Sequence, residues 1–166
     1  MLKKIVLLAF LCLPLGMIAQ EVKIAHVNSM EIFGAMPETA AAETKLANLN
    51  QSIRAELQRL EEDYNKKYTE FMQESDTLVQ SIKIRRMTEI EDLRGRIETY
   101  YQQAEQEIAK TRNDLQAPIV QKIQDAIKAV GEDQGYTYVM EAGAFIFISP
   151  KAIDATPLVK TKLGLK

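Results

Sequence analysis

The sequence predicts an α+β protein, in which a long α-helical hairpin projects from a small β-rich body that several copies of the chain complete together. Three observations lead to this prediction. Residues 37–131 contain one interior proline, Pro118, and one interior glycine, Gly95, and their apolar side chains recur at helical spacing. Two short apolar segments, residues 136–141 and 144–149, are typical of the strands of a hairpin. An isolated hairpin is marginally stable in water, so it must find further strands elsewhere.

Residues 1–19 have the composition of a secretory signal peptide. Two lysines near the start precede a charge-free apolar run over residues 5–19, which ends in small side chains. Pro14 and Gly16 interrupt this run, which is shorter than the roughly 20 residues that a membrane-spanning helix needs. We therefore expect export with cleavage after Ala19, and a retained membrane anchor is the alternative.

The composition excludes several classes of chemistry. Cys12, the only cysteine, lies in the expected signal peptide, so the exported chain would contain no disulfide and no thiol ligand. His26 is the only histidine, which excludes a catalytic triad and a histidine-based metal site. The sequence also contains no glycine-rich phosphate loop. We predict that the protein is not an enzyme and needs no cofactor and no metal.

The charge balance argues against nucleic acid as a partner. Loss of the two signal-peptide lysines leaves 19 basic against 23 acidic residues, a net charge of about −4. Nucleic-acid binding depends on cationic side chains that neutralise phosphates. The acidic run Glu61-Glu62-Asp63 has Lys66 and Lys67 at helical spacing and is expected to be a solvated helix face.

The first element of the exported chain is a short strand over residues 22–28. Successive side chains of a strand point to opposite faces. One face would carry Val22, Ile24 and His26, and the other Lys23, Ala25 and Val27.

The long run that follows has the apolar spacing of nearly straight amphipathic helices. Steps of three and four residues give an eleven-residue period, about 3.67 residues per turn, which disfavours left-handed supercoiling. Pro37 followed by Glu38 is a typical helix start, and Gly131 is expected to mark the end. The seam of the first half comprises Leu46, Leu49, Ile53, Leu57, Leu60, Tyr64, Tyr68 and Phe71. The seam of the second half comprises Ile90, Leu93, Ile97, Tyr101, Ala104, Ile108, Leu115, Ile119, Ile123, Ala126 and Val130.

A hairpin of two helices is preferred to a single rod, because residues 74–83 (ESDTLVQSIK) break the apolar spacing. One helix of this length would extend about 140 Å at 1.5 Å per residue. Ser75, Asp76 and Thr77 are able to turn the chain and cap the returning helix. The expected arm therefore spans residues 37–117, with its tip near residues 74–83.

Pro118 lies inside the returning helix and should tilt its axis. An ordinary kink is one interpretation. The preferred one is that Pro118 marks the junction of the arm with the body, because residues 118–130 (PIVQKIQDAIKAV) are the most apolar part of the helix. The body would then comprise residues 20–36 and 118–166.

The predicted hairpin turns at Ala142-Gly143. Its second strand, residues 144–149 (AFIFIS), is apolar on both faces. Such a strand is expected in a covered sheet or in a small barrel, and a barrel closed by several subunits has no open edge. The hydrophobic core of one chain is expected to be too small for a stable fold without this association.

Several segments follow one another in an order that is similar to a known family. They are the signal peptide, KIAHVNSMEIF at residues 23–33, the helical hairpin, PIVQKIQDAIKAVGEDQGYTYVM at residues 118–140, and DATPLVKTKLGLK at residues 154–166. Together they resemble the Skp, or OmpH-like, family of periplasmic chaperones. The resemblance implies a jellyfish-shaped homotrimer in the periplasm, whose arms enclose a cavity for unfolded outer-membrane β-barrel proteins.

The resemblance also implies positions for body residues. The trimerisation barrel would contain Ile24, Val27, Val139, Phe145 and Phe147. The helix leaning on it would contribute Pro118, Ile119, Ile123, Ile127 and Val130.

Two features depart from the family pattern. The best-known members are strongly basic, whereas this chain is acidic. Ala155 lies between Asp154 and Thr156, where the family usually has a β-branched residue or leucine. We interpret Asp154 and Thr156 as the cap of a short helix over residues 157–163.

The predicted function is that of an ATP-independent holdase. An unfolded β-barrel exposes apolar side chains and unpaired strands that aggregate, and sequestering one client between the arms prevents this encounter. Client contacts are expected from apolar residues near the tip: Phe71, Met72, Leu78, Val79, Ile82, Ile84 and Met87. In the alternative interpretation these residues only close the end of the hairpin. Membrane contact is peripheral at most.

The alternative function is a structural coiled-coil protein of the envelope, a tether or adaptor without chaperone activity. A tether needs a retained anchor. An adaptor normally has lipoyl-like β-domains on both sides of its hairpin, and the flanks of this hairpin are too short for them.

Overall fold

The computed structural model describes residues 22–165, which form two long helices, two short helices and a small sheet. The expected signal peptide lies outside the described residues. The strands are β1 (Ile24–Val27), β2 (Tyr138–Glu141) and β3 (Ile153–Asp154). The helices are α1 (Ser29–Ala35), α2 (Pro37–Glu74), α3 (Gln80–Gln134) and α4 (Thr156–Lys162). The prediction of long helices with a small sheet is confirmed.

The sheet has the order β2-β1-β3, and both strand pairs are parallel. The predicted hairpin over residues 136–149 is therefore wrong. After β2 the chain makes a short 3-10 turn, Ala142–Ala144, and leaves the sheet. A two-residue hairpin turn requires a positive φ, which Gly143 does not adopt. Residues 145–149 consequently form no strand in this chain.

One hydrophobic core joins the sheet to the helices. Ala25 and Val27 of β1 point into it, as the predicted alternation requires. Ile32 and Met36, in and beside helix α1, are almost completely buried, although the sequence pattern did not predict this helix. Further core residues are Ala42, Ile119, Ile123, Ala126, Val130, Ala155 and Val159. The part of α3 that follows Pro118 therefore packs against the sheet.

The ends of the long helices follow ordinary capping rules, with one correction. Pro37 occupies the first turn of α2. α3 continues past Gly131 to Gln134 and is capped by Gly135 with a left-handed φ of 65°, so the predicted end at Gly131 is wrong. Gly131 instead lies inside α3 beside β2, where an added β-carbon would be at an ordinary contact distance of 3.6 Å from Val139 Cγ2.

The long helices run antiparallel, since Lys67 of α2 contacts Glu89 near the turn and Glu38 contacts Lys122 at the far end. They bury a narrow seam of Ile53, Leu60, Ile90, Leu93 and Ala104. Tyr68 and Tyr101, which the spacing placed in the seam, are 45% and 54% exposed, and that part of the prediction is wrong. A tyrosine at the edge of a narrow seam can keep its hydroxyl in water.

The terminal helix α4 begins one residue earlier than predicted. Its N-cap residue is Ala155, which makes no side-chain cap hydrogen bond, so the predicted cap by Asp154 and Thr156 is wrong. The Thr156 backbone N–H donates to Asp154 Oδ1 at 2.9 Å, which is the two-residue spacing of an Asx turn just before the helix. The Thr156 hydroxyl does not cap the helix, because it accepts a hydrogen bond from the Asn28 N–H at 3.0 Å. This bond fixes α4 to the end of β1.

Candidate functional site

Two regions expose groups of apolar side chains: the end of the helical hairpin and one face of the sheet. From here on the name tip covers residues 66–87, a wider range than the residues 74–83 predicted from the sequence, and the shaft comprises residues 43–65 together with 88–117. The tip contains the turn between α2 and α3. In this turn the Ser75 N–H donates to the Phe71 carbonyl and the Thr77 N–H to the Glu74 carbonyl, both at 2.9 Å.

The seven tip residues singled out from the sequence divide into two groups. Met72, Val79, Ile84 and Met87 are between 45% and 66% exposed. Phe71, Leu78 and Ile82 are half-buried beside the turn. The first group is available to a partner, whereas the second has less surface to offer and also helps to close the hairpin.

Ion pairs between α2 and α3 hold the tip in register. Lys67 Nζ lies 2.5 Å from Glu89 Oε1, and Arg86 Nη1 lies 2.6 Å from Glu74 Oε2. The hydrogen bond from Lys67 lowers the pKa of Glu89, and the same bond raises the pKa of Lys67. Ion pairs near the surface contribute little to stability. They do select which residues of the two helices face each other.

The second region is the face of the sheet opposite the core. Ile24 and its register partner Tyr138 project from it, because Ala25 and Val27 face the core. The segment after β2 adds Ile146, which is fully exposed, and other large apolar residues on or near this face are Met140, Phe145 and Phe147. A groove of about 200 Å³ lies between β1 and residues 145–149. Contiguous apolar surface of this kind marks an interaction site.

The five residues that the resemblance assigned to the body lie on both sides of the sheet. Val27 is buried in the core, and Val139 packs against it. Ile24, Phe145 and Phe147 lie on the exposed side. The residues assigned to the body from the sequence did not include Tyr138, Met140 and Ile146, which are exposed on the same side. The unbroken apolar run of residues 145–148 was the available signal for Ile146.

One buried polar atom at the centre of the sheet has no hydrogen-bond partner, and both edges of the sheet are open within the described chain. β1 is the central strand, so β2 and β3 each leave one edge open within the described chain. His26 lies between Met140 and Asp154 in register, and its Nδ1 is buried without a hydrogen-bond partner, 3.8 Å from Asp154 Oδ1. Open edges pair with other strands unless they are blocked.

Residues 22–165 contain neither a cluster of metal-ligating side chains nor a membrane-spanning helix. No group of three or more His, Cys, Asp or Glu side chains in this part of the chain could hold a metal ion. None of its helices is both long enough and apolar enough to cross a bilayer.

Comparison with known proteins decides the family. A family model described as "Outer membrane protein (OmpH-like)" matches residues 23–163, nearly all of the described chain. The chain belongs to the OmpH-like family. The resemblance inferred from the sequence segments is thus confirmed.

Relatives in the OmpH-like family match over most of their length. The chaperone protein Skp of Yersinia enterocolitica is 30% identical over 144 residues, which cover 86% of this chain and 88% of that protein. The chaperone protein Skp of Photorhabdus luminescens is 32% identical over 141 residues, with 84% and 86% covered. The crystal structure of a putative outer membrane chaperone (OmpH-like) from Caulobacter crescentus superimposes with a TM-score of 0.75 at 16% identity, covering 84% of this chain and 82% of the other. This chain therefore has the OmpH-like fold.

Proposed function

We propose that this OmpH-like chain is an ATP-independent periplasmic holdase and not an enzyme. It would sequester unfolded outer-membrane proteins between the helical arms of a homotrimer. The relatives named chaperone protein Skp support a chaperone role. The observation that carries the proposal is the group of exposed apolar side chains at the tip of a hairpin whose shaft buries its own.

The proposed trimer would complete the sheet. Parallel sheets are normally covered on both faces, and this one is covered on one. Residues 145–149 (FIFIS) have high β-propensity and could add a strand to the open edge of a neighbouring copy. Closing three such sheets into a barrel would bury Ile24, Phe145 and Phe147 and remove the open edges. The body would comprise residues 20–36 and 118–166, and the arm residues 37–117.

The arms would hold a client through many weak contacts. With 38 residues, α2 is about 57 Å long at 1.5 Å per residue, enough to line a cavity. A half-exposed apolar side chain contributes about 1 kcal/mol when a client covers it. Several such contacts retain an unfolded chain, yet folding of the client elsewhere can still outcompete them without ATP. The proposed contacts are Met72, Val79, Ile84 and Met87, with Phe71, Leu78 and Ile82 beside them.

Light scattering during dilution of a urea-unfolded outer-membrane β-barrel tests the proposal. We expect the stoichiometric exported chain to suppress aggregation. The variant Val79→Ser/Ile84→Ser should require several times more protein for the same effect, because it removes apolar contact area without touching the seam. Val120→Ser is the control, since Val120 is 42% exposed and lies on helix α3, as Ile84 does, but outside the arm. It should behave as the wild type.

Unchanged scattering in the presence of the wild-type chain would refute the holdase role. It would favour the alternative of a structural coiled-coil protein, a tether or adaptor.

A further inference from the structure

The arm has two zones that differ in where their apolar side chains lie. In the shaft these side chains pack α2 against α3, and Ile53, Leu60 and Leu93 are at most 7% exposed. Within this fully described stretch, Tyr101 is the only large apolar residue that is more than half exposed. The tip exposes Tyr68, Met72, Val79, Ile84 and Met87. A partner therefore meets apolar side chains at the tip and almost only polar ones along the shaft.

The two zones also carry opposite net charges. The shaft has twelve acidic and seven basic residues, a net charge of −5. The tip has three acidic and five basic residues, a net charge of +2. Residues 22–36 and 118–165 have six of each and are neutral. The negative charge of the exported chain is thus concentrated on the shaft.

Many shaft carboxylates face solvent. Glu56 accepts hydrogen bonds of 2.9 and 2.6 Å from Arg59, and Glu89 pairs with Lys67 of the tip. Further acidic residues are exposed and have no side-chain hydrogen bond within the described chain, among them Glu43, Glu61, Glu98 and Glu105. Exposed charges act on a partner over about 8 Å at physiological ionic strength. A client close to the shaft therefore experiences a negative field.

A groove on the side of the shaft has a composition that suits a basic side chain. Its volume is about 670 Å³, and it is lined by Leu60, Gly95, Tyr100, Thr99, Gln103, Glu56, Glu91, Asp92 and Arg96. Lysine and arginine bury their aliphatic stems on apolar surface and keep the charge among polar groups. Three carboxylates against two guanidinium groups, Arg96 in the lining and Arg59 paired with Glu56, leave a net negative charge that favours a cation there.

We propose that the shaft selects clients by charge and favours unfolded β-barrel segments rich in lysine and arginine over acidic segments. This inference rests on the proposed holdase function. The apolar contacts of the tip do not distinguish the two kinds of segment, because both contain alternating apolar residues, and the tip's charge of +2 is smaller than the shaft's charge of −5. The shaft meets the client through polar side chains, so the sign of its field decides which segments are held.

The experiment uses one unfolded β-barrel protein that has more basic than acidic residues. It is tested both unmodified and with its lysines acetylated. Acetylation removes the lysine charge without changing the sequence. The chain has no tryptophan, so tryptophan emission in a titration reports the client alone. We expect the wild type to bind the unmodified client about three- to tenfold more tightly than the acetylated client at low ionic strength. This affinity ratio should approach one in about 0.5 M salt, because screening removes the field.

Two matched variants separate the shaft charge from other effects of acetylation. The first changes the shaft charge from −5 to −1 and should bring the ratio close to one; it carries Glu43→Gln, Glu61→Gln, Glu98→Gln and Glu105→Gln. The second changes it to −9 and should increase the ratio; it carries Lys45→Gln, Arg54→Gln, Lys110→Gln and Arg112→Gln. Glutamine has nearly the same helix propensity as the residues it replaces. Both variants should therefore keep the wild-type circular dichroism spectrum.

The outcomes distinguish this inference from the function on which it rests. Equal binding of both client forms by the wild type, or equal ratios for the two variants, would overturn the charge preference and leave the holdase proposal standing. Failure of the wild type to bind either form would refute both.

Discussion

At the residue scale, a few side chains determine the small body. Ile32, Met36 and Val159 are its largest fully buried residues, and they lie in or beside the short helices α1 and α4. Helices of seven residues are not stable on their own. Specific contacts must hold them, including the hydrogen bond from the Asn28 N–H to the Thr156 hydroxyl.

Asp154 should make the stability of the body depend on pH. Partial burial acts to raise its pKa, but hydrogen bonding to Thr156, helped by the nearby His26 and Lys160, lowers the pKa below its ordinary value of 3.8. A carboxyl group with a lowered pKa in the folded state stabilises the fold above about pH 4, and this contribution is lost as the pH falls further. Asp154→Asn keeps a side-chain oxygen for the bond from Thr156 but removes the charge, so it should destabilise the protein by up to about 0.5 kcal/mol at pH 7, a value reduced by solvent exposure, and by less at pH 3.

Urea unfolding at fixed protein concentration, followed by circular dichroism between pH 3 and 7, measures this difference. Asp133→Asn is a suitable control, because Asp133 is exposed and pairs only with Lys162. A stability difference between wild type and Asp154→Asn that does not change with pH would contradict the assigned role.

At the element scale, the two long helices depend on their mutual seam and on few special residues. α3 runs for 55 residues and contains Gly95 in its interior, where an added β-carbon would meet no atom within 4 Å. Gly135 at its end has a left-handed φ of 65°. Substitution of glycine by alanine should therefore change the stability in opposite directions at Gly95 and at Gly135.

Gly95→Ala should stabilise the arm by up to about 1 kcal/mol, because alanine has the higher helix propensity and the site has room for it. Gly135→Ala should destabilise the protein by about 1 kcal/mol, because an L side chain is strained in the left-handed region. Thermal unfolding of both variants at equal concentration checks the pair. Destabilisation by Gly95→Ala would show that the open space beside Gly95 is required for packing.

Elements that follow from a local sequence pattern could be predicted, whereas the pairing of segments far apart in the sequence could not. The helices follow from the period of their apolar residues, and β1 follows from its alternation. The parallel pairing of β1 with β2 brings together Ile24 and Tyr138, which are far apart in the sequence, and no local pattern specifies this register. Helix α1 had a local signal that was missed: Asn28 Oδ1 accepts a hydrogen bond from the Glu31 N–H at 3.0 Å, an ordinary N-cap.

The candidate site was predictable to a similar degree. Apolar residues at the tip could be identified because the seam spacing breaks there. Which of them are exposed could not, since this depends on how the turn from Ser75 to Val79 packs Phe71 and Leu78.

At the scale of the whole molecule, the sheet and the arm both expose apolar surface to water. The sheet has an uncovered apolar face and two open edges, and the tip has exposed apolar side chains. We infer that the first is covered permanently by sister chains and the second transiently by a client. The negative shaft between them would help to keep the assembled particles apart in solution.

The mass of the exported chain in solution, measured by light scattering at micromolar concentration, tests most directly whether sister chains complete the body. We expect three copies per particle for the wild type. Ile146→Asp/Phe147→Asp should break the assembly, because it would bury unpaired carboxylates in the contact between copies. A wild-type protein that is well folded as a single copy would contradict the trimer and the cavity that depends on it.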